Sequence, residues 1–129
     1  VSAAHSRARR VYQPILNQRI ERRFHAYAIG LPRTGTHFID AVFAPAYRSK
    51  HEALRPETSA LIYQHVTHQI DQLAFERRLR ARDRFLWLEM EANNTLTIIA
   101  PTLVKLYPEA KFILLLRDPF SWLYSLWKV

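Results

Sequence analysis

One short segment, residues 24–38, constrains the fold of this chain more than any other. It reads as an apolar run, then a loop, then the start of a helix. The only two glycines of the chain, Gly30 and Gly35, both lie in this loop, where backbone without a Cβ atom can turn sharply and approach a ligand closely. A strand–loop–helix segment of this kind points backbone N–H groups and the positive end of a helix dipole at one place. The segment therefore predicts a phosphate-binding loop.

The loop departs from the nucleoside-triphosphate motif GxxxxGK[ST] at the positions that carry its chemistry. The spacing from Gly30 to Gly35 fits, but Thr36 and His37 stand where that motif has its lysine and its magnesium-binding hydroxyl. The basic group lies inside the loop instead, as Arg33. Such a loop suits a single terminal phosphate without a metal ion. A kinase or NTPase of the P-loop class is one alternative, and a tight turn that binds no ligand is another.

The composition favours an anionic partner, because 19 Lys and Arg against 11 Asp and Glu give a net charge of +8. The basic residues fall in two blocks, 7–23 and 77–84, without the aromatic interleaving of nucleic-acid-binding modules. We interpret the blocks as solvated faces and expect no nucleic-acid partner. The chain has no cysteine and no apolar run long enough to span a bilayer, so we expect a cytoplasmic protein without a membrane segment.

The rest of the chain alternates predicted strands with predicted helices. Apolar runs predict strands at 24–29, 85–91 and 111–116, and helical periodicity predicts a short helix ending at Pro45 and one long helix over about 57–82, with a loop at 46–56 between them. The predicted core positions are Phe38, Ile39, Val42 and Phe43 in the short helix, and Ile62, Val66, Ile70, Leu73 and Ala74 in the long one. Strands joined through helices by short links pair in parallel. The pattern predicts a three-layer α/β fold with a parallel sheet and a P-loop.

Two sets of polar residues invite a functional interpretation. Glu89 and Glu91 fall on one side of the second predicted strand, and we expect both at the carboxyl edge of the sheet, where either one, or else His37, serves as a general base. The alternative for the glutamates is an ion pair with Arg33 or with arginines of the long helix. His65, His68 and Asp71 have a helical spacing that metal ligands also use, but surface histidines are ordinary, and we predict no metal site there.

A second motif follows the last strand, where Arg117-Asp118-Pro119 predicts a capped helix start and Ser125 lies eight positions after Arg117. With Gly30–Thr36, this segment resembles sulfotransferases that use 3′-phosphoadenosine 5′-phosphosulfate (PAPS). In that family the first loop binds the 5′-phosphosulfate, and an arginine and a serine at this spacing bind the 3′-phosphate. The resemblance extends over roughly residues 27–127.

The resemblance implies an enzyme that transfers a sulfuryl group from PAPS to a hydroxyl or amine acceptor and leaves adenosine 3′,5′-bisphosphate, without a metal. We expect residues 24–129 to be the N-terminal part of its α/β domain, residues 1–23 to be a basic, partly helical lead-in, and the chain to be a fragment. The implied nucleotide-binding residues are Gly30, Pro32, Arg33, Thr34, Gly35, Thr36, His37, Arg117 and Ser125, and the catalytic ones are Arg33 with Glu89, Glu91 or His37. The lysine and proline that relatives often carry near the second strand end are missing here. A truncated, non-catalytic relative is a further alternative.

Overall fold

A computed structural model describes residues 3–128 of the chain. These described residues form four strands and six α-helices. In chain order they are α1 (Ala3–Asn17), β1 (Ala26–Gly30), α2 (Thr36–Phe43), β2 (Ser49–His51), α3 (Arg55–Val66), α4 (Gln72–Leu86), β3 (Met90–Ala92), α5 (Ala100–Leu106), β4 (Lys111–Leu115) and α6 (Pro119–Trp127), with a 3-10 helix, Asn94–Ile99, before α5.

The four strands form one sheet in the order β2-β3-β1-β4, and every neighbouring pair is parallel. The register sets Ala26 of β1 opposite Met90 of β3 and Lys111 of β4. This confirms the predicted α/β fold with a parallel sheet. All four strands end at the same edge, the carboxyl edge, where β1 finishes at Gly30 and β2 at His51.

Helices cover both faces of the sheet because alternate residues of the buried strand β1 point to opposite sides. Tyr27 and Ile29 join a core cluster with residues of α3, α4 and α5. Ala26 and Ala28 face the other side, where Ile39 and Phe43 of α2 pack against them. The result is three layers, with α3, α4 and α5 on one face of the sheet and α2 on the face that carries the small side chains.

Helix α2 ends at Phe43, before Pro45, as the sequence predicted. Ile39 and Phe43 face the sheet, whereas Phe38 is 68% exposed and Val42 is also exposed. The prediction that all four residues face inward was wrong for Phe38 and Val42. Residues four apart lie on the same face of a helix, so when Ile39 and Phe43 face the sheet, the residue before each of them points away from it.

The predicted long helix is two helices. The chain breaks after Val66, His68 adopts a left-handed φ of 57°, and Asp71 caps the new helix by accepting a hydrogen bond of 2.7 Å from the Ala74 N–H. Of the predicted core stripe, Ile62 is buried but Val66 and Leu73 are exposed, and the core positions of α4 are Phe75 and Leu79 instead.

The break also separates the three residues with metal-ligand spacing. The His65 ring stacks on Phe75 with 3.8 Å between centroids, while the Asp71 carboxylate is used as the helix cap. Within residues 3–128, no group of three His, Asp or Glu side chains is placed to hold a metal ion.

Two further predicted boundaries were wrong. Residues 85 and 86 belong to α4, Trp87 caps its end with a left-handed φ of 50°, and β3 comprises only Met90–Ala92. The predicted loop 46–56 contains strand β2, which pairs with β3.

The N-terminal segment forms helix α1, which continues through Pro14 and packs on α4. Its last residue, Asn17, is buried and donates from Nδ2 to the carbonyl oxygens of Arg84 and Phe85 at 3.0 and 2.7 Å. None of the helices in the described range 3–128 has the length and hydropathy that crossing a membrane requires.

Candidate active site

The loop between β1 and α2 needs glycine at two positions for different reasons. A Cβ atom on Gly30 would lie 2.5 Å from the carbonyl oxygen of Leu115, so the close approach of β4 excludes any side chain there. Gly35 has a φ of 111°, which residues with a Cβ rarely adopt, and a Cβ built on it meets nothing within 4 Å. The backbone at the N-terminus of α2 is therefore open to a ligand.

Side chains hold the loop in this conformation. Thr97, from the 3-10 helix, accepts a hydrogen bond from the Gly30 N–H and donates its hydroxyl to the Gly30 carbonyl oxygen, both at 2.9 Å. The Thr34 hydroxyl donates to the carbonyl oxygen of Leu31 at 2.7 Å, and Arg33 takes a left-handed φ of 66°. Sequence reasoning missed Thr97, because nothing near it in the chain signals a contact with residues 67 positions away.

The two predicted motifs meet at the carboxyl edge. Arg117 donates from Nη1 to the carbonyl oxygen of Arg33 at 3.0 Å, and Arg33 donates from Nε to the Ser125 hydroxyl at 3.0 Å. Trp122 of α6 donates from its indole nitrogen to the carbonyl oxygen of Pro32 at 2.8 Å. Asp118 caps α6 through the Ser121 N–H, as the sequence predicted. The first and last segments of the predicted site are thus hydrogen-bonded to each other.

A cavity of about 350 Å³ lies beside the loop, in the size range of small-ligand sites. Its lining includes residues of both motifs and two residues that hydrogen-bond to the loop, Thr97 and Trp122. The lining motif residues include Gly30, Thr34, Arg117 and Pro119. A larger cleft of about 580 Å³ lies between α1, α3 and α4 and is lined by four arginines, Arg9, Arg10, Arg78 and Arg82, among others. No residue of either motif lines that cleft, so the smaller cavity is the candidate nucleotide site.

The opposite flank of the loop carries two histidines. Thr36, the first residue of α2, places its hydroxyl oxygen 3.1 Å from Nε2 of His51, the last residue of β2. The His37 ring packs edge-on against His51 with 5.0 Å between centroids. The Ser49 hydroxyl donates to the Asp40 carboxylate at 2.5 Å, which ties β2 to α2. Sequence reasoning missed His51 as a site residue because it treated residues 46–56 as a loop.

Glu89 lies at the opposite edge of the sheet from the loop, so its predicted position was wrong. Its carbonyl oxygen accepts a hydrogen bond of 2.8 Å from the N–H of Ala26, where β1 begins. Its buried carboxylate accepts from the Arg23 guanidinium at 2.8 and 2.7 Å and from the backbone N–H groups of Arg23 and Arg48. The hydrogen bonds from the Arg23 side chain have the largest effect on this carboxylate, and those from the backbone N–H groups add to it. Together they lower the pKa of Glu89 from 4.5 to about 2.

This lowered pKa predicts that part of the stability of the fold is lost in acid. Because the folded state favours ionised Glu89, its stabilisation is complete above about pH 4.5 and is lost as the pH falls toward about 2. Urea unfolding between about pH 5 and about pH 2 is therefore expected to show a smaller fall in unfolding free energy for Glu89→Gln than for the unsubstituted chain. Glu109→Gln, at an exposed glutamate, is the control and keeps the original fall. Identical pH profiles for Glu89→Gln and the unsubstituted chain would contradict the assignment.

Glu91 lies one residue before the carboxyl end of β3, but its side chain is engaged away from the loop. Its carboxylate pairs with Arg82 of α4, with Nη1 2.8 Å from Oε2 and Nη2 in contact with Oε1. Arg82 also donates to the Thr58 hydroxyl and the Ala53 carbonyl oxygen, both at 2.8 Å. The alternative interpretation of the sequence, an ion pair with the arginine-rich helix, describes this geometry.

Comparison with known protein families identifies the family of this chain. The model of the sulfotransferase domain family matches residues 27–129, which is most of the chain. The chain therefore belongs to the sulfotransferase domain family. A search of curated proteins finds no match.

Proposed function

We propose that this chain binds PAPS and transfers its sulfuryl group to a hydroxyl or amine of an acceptor, which is a small molecule or a larger one. The observation that carries the proposal is the joining of the two motifs, in which Arg117 bonds to the backbone of Arg33 and the Arg33 side chain bonds to Ser125. A ligand with two phosphate groups separated by a ribose suits two such clusters beside one cavity. Membership of the sulfotransferase domain family supports the same reaction class.

The loop residues take the 5′-phosphosulfate in this proposal. The N–H groups of Thr34, Gly35 and Thr36 lie at the N-terminus of α2, and the open space at Gly35 allows an anion to reach them. Negative charge develops on the leaving 5′-phosphate as the sulfuryl group departs. Arg33 and these N–H groups stabilise that charge, and the Thr36 hydroxyl adds a further donor.

Arg117 and Ser125 take the 3′-phosphate. Within residues 3–128, Arg117 donates one N–H group to the Arg33 carbonyl oxygen, and a guanidinium has five N–H groups, so others remain for a phosphate. The Ser125 hydroxyl, which accepts from Arg33, has its own proton to donate. In this assignment, the cationic side chain of Arg117 and the hydroxyl of Ser125 both bind a negatively charged phosphate.

A P-loop kinase or NTPase is the competing function, and it depends on a metal ion. No lysine follows Gly35, and the described residues 3–128 hold no cluster of metal-ligating side chains. Calorimetric titration with adenosine 3′,5′-bisphosphate is therefore expected to give the same affinity in EDTA and in magnesium. ATP with magnesium serves as the comparison ligand and is expected to bind more weakly. Loss of bisphosphate binding in EDTA would favour the kinase or NTPase instead.

A further inference from the structure

We propose that His51 is the catalytic residue that accepts the proton of the attacking acceptor, an assignment that rests on the proposed function. The sheet order decides on which side of the loop the transferred group lies. Strand β4 flanks β1 on one side, and β3 and then β2 flank it on the other. Arg117 and Ser125 follow β4, so a nucleotide held by them at its 3′-phosphate extends its nucleoside over β4 and presents its sulfuryl group toward β3 and β2.

His51 is the ionisable side chain at the end of β2 that reaches the loop from this flank. Its Nε2 atom lies 3.1 Å from the hydroxyl oxygen of Thr36, one of the proposed phosphosulfate ligands. Its backbone belongs to the sheet through the pairing with Ala92, and the His37 ring packs against its own ring. The imidazole is therefore held next to the proposed phosphosulfate site by a strand of the sheet rather than by a loop.

The other candidate bases are less suited by position. Glu89 is at the far edge of the sheet, where Arg23 binds it, and Glu91 is paired with Arg82. His37, in the first turn of α2, is exposed, and its ring packs edge-on against that of His51. Imidazole is also the side chain most often used for proton transfer near neutral pH.

The step conserves atoms and charge. In the tautomer that carries its proton on Nδ1, the His51 Nε2 atom accepts a hydrogen bond from the Thr36 hydroxyl. When a phosphosulfate binds, that hydroxyl donates to a phosphate oxygen instead, and the lone pair of His51 Nε2 becomes available to the acceptor O–H or N–H. The acceptor atom forms a bond to sulfur as the bond from sulfur to the bridging oxygen breaks. The electron pair of that bond remains on the 5′-phosphate, which leaves as adenosine 3′,5′-bisphosphate. The acceptor's proton passes to His51 and then to water.

Water as the acceptor makes the inference testable without a known substrate. The measurements are the affinity for adenosine 3′,5′-bisphosphate and the rate of sulfate release from PAPS, for the unsubstituted chain, His51→Gln, His51→Ala and the control His68→Gln at an exposed histidine. The amide of glutamine can still hydrogen-bond to Thr36 but cannot accept a proton at neutral pH. Both His51 variants are expected to release sulfate about 10²- to 10⁴-fold more slowly, with bisphosphate affinity unchanged in His51→Gln. The control keeps both values.

The outcomes separate this inference from the proposed function. A His51→Gln variant that keeps the original rate while His51→Ala loses it would make His51 a residue that only orients Thr36, and the base assignment fails. An original rate in both variants, or an unsubstituted chain that binds the bisphosphate yet releases no sulfate, also overturns the assignment while leaving the nucleotide site intact. An unsubstituted chain that binds no bisphosphate overturns the proposed function itself, and the role of His51 with it.

Discussion

Replacing Glu91 by glutamine is expected to lower the free energy of unfolding by about 3–5 kcal/mol, the usual effect of removing one partner of a buried ion pair. Glu91 is 4% exposed and the Arg82 side chain is 11% exposed, so the variant leaves a guanidinium charge in the interior without its counter-ion. Burial lowers the pKa of Arg82, but the charge and the hydrogen bonds of Glu91, with smaller contributions from Tyr27 and Asp83, together raise it. A guanidinium stays protonated at neutral pH even without such a partner, so Arg82 keeps its charge in the variant. Urea unfolding at neutral pH, followed by circular dichroism, measures the loss.

Two further variants make this result specific to the pair. Glu76→Gln removes a partner of Lys105, whose side chain is 67% exposed, and is expected to cost at most about 1 kcal/mol. Replacing Arg82 by methionine and Glu91 by leucine together removes both charges and is expected to recover most of the stability. A loss for Glu91→Gln no larger than that for Glu76→Gln would contradict the structural role of the pair.

The parts of the fold that the sequence predicted well depend on local chemistry. Gly30 and Gly35 are the only glycines in the chain, and their positions between an apolar run and a helical pattern define the loop without knowledge of distant contacts. The Arg117-Asp118-Pro119 segment likewise contains its own helix cap and first helical residue. Parallel pairing then follows from the alternation of strands and helices, which brings both motifs to one edge.

The parts that the sequence did not predict depend on tertiary contacts. Strand β2 has three residues, two of them Ser49 and Lys50, and it exists because β3 supplies its hydrogen-bonding partner. Residues 85–91 alternate as a strand would, yet α4 continues to Leu86 because its other residues, such as Phe75 and Leu79, anchor that helix in the core.

The contacts of the two glutamates could not be predicted from the pattern. Period-two alternation over residues 85–91 contains no information about where the strand starts relative to its neighbours, or about which arginines lie beside it. In the structure, Glu89 lies just before β3 and bonds to Arg23. Glu91 lies within β3 and bonds to Arg82, which is 9 positions earlier in the chain. Catalysis by either glutamate would require breaking these pairs, whereas the His51 side chain makes a single hydrogen bond, to Thr36, among the described contacts.

Replacing Arg117 by alanine is expected to remove most of the preference of the chain for a nucleotide with a 3′-phosphate. A hydrogen bond to a charged group contributes about 1.5–3 kcal/mol, so affinity for adenosine 3′,5′-bisphosphate is expected to fall by roughly 10- to 150-fold. Affinity for adenosine 5′-monophosphate, which has no 3′-phosphate, is expected to stay the same. Isothermal titration with each nucleotide measures both values.

The control for Arg117 is Arg80→Ala, which removes the same charge from an exposed position on α4. It is expected to leave both nucleotide affinities unchanged. If the two arginine variants weakened bisphosphate binding equally, the loss would come from net charge rather than from a specific 3′-phosphate contact.

The central claim is that the joined motifs bind a nucleotide with phosphates at both its 5′ and 3′ positions. The measurement that tests it most directly is isothermal titration of the unsubstituted chain with adenosine 3′,5′-bisphosphate and with adenosine 5′-monophosphate under the same conditions. The contact of Arg33 with Ser125 and of Arg117 with Arg33 predicts that the bisphosphate binds at least about tenfold more tightly. Equal affinities for the two nucleotides would contradict it.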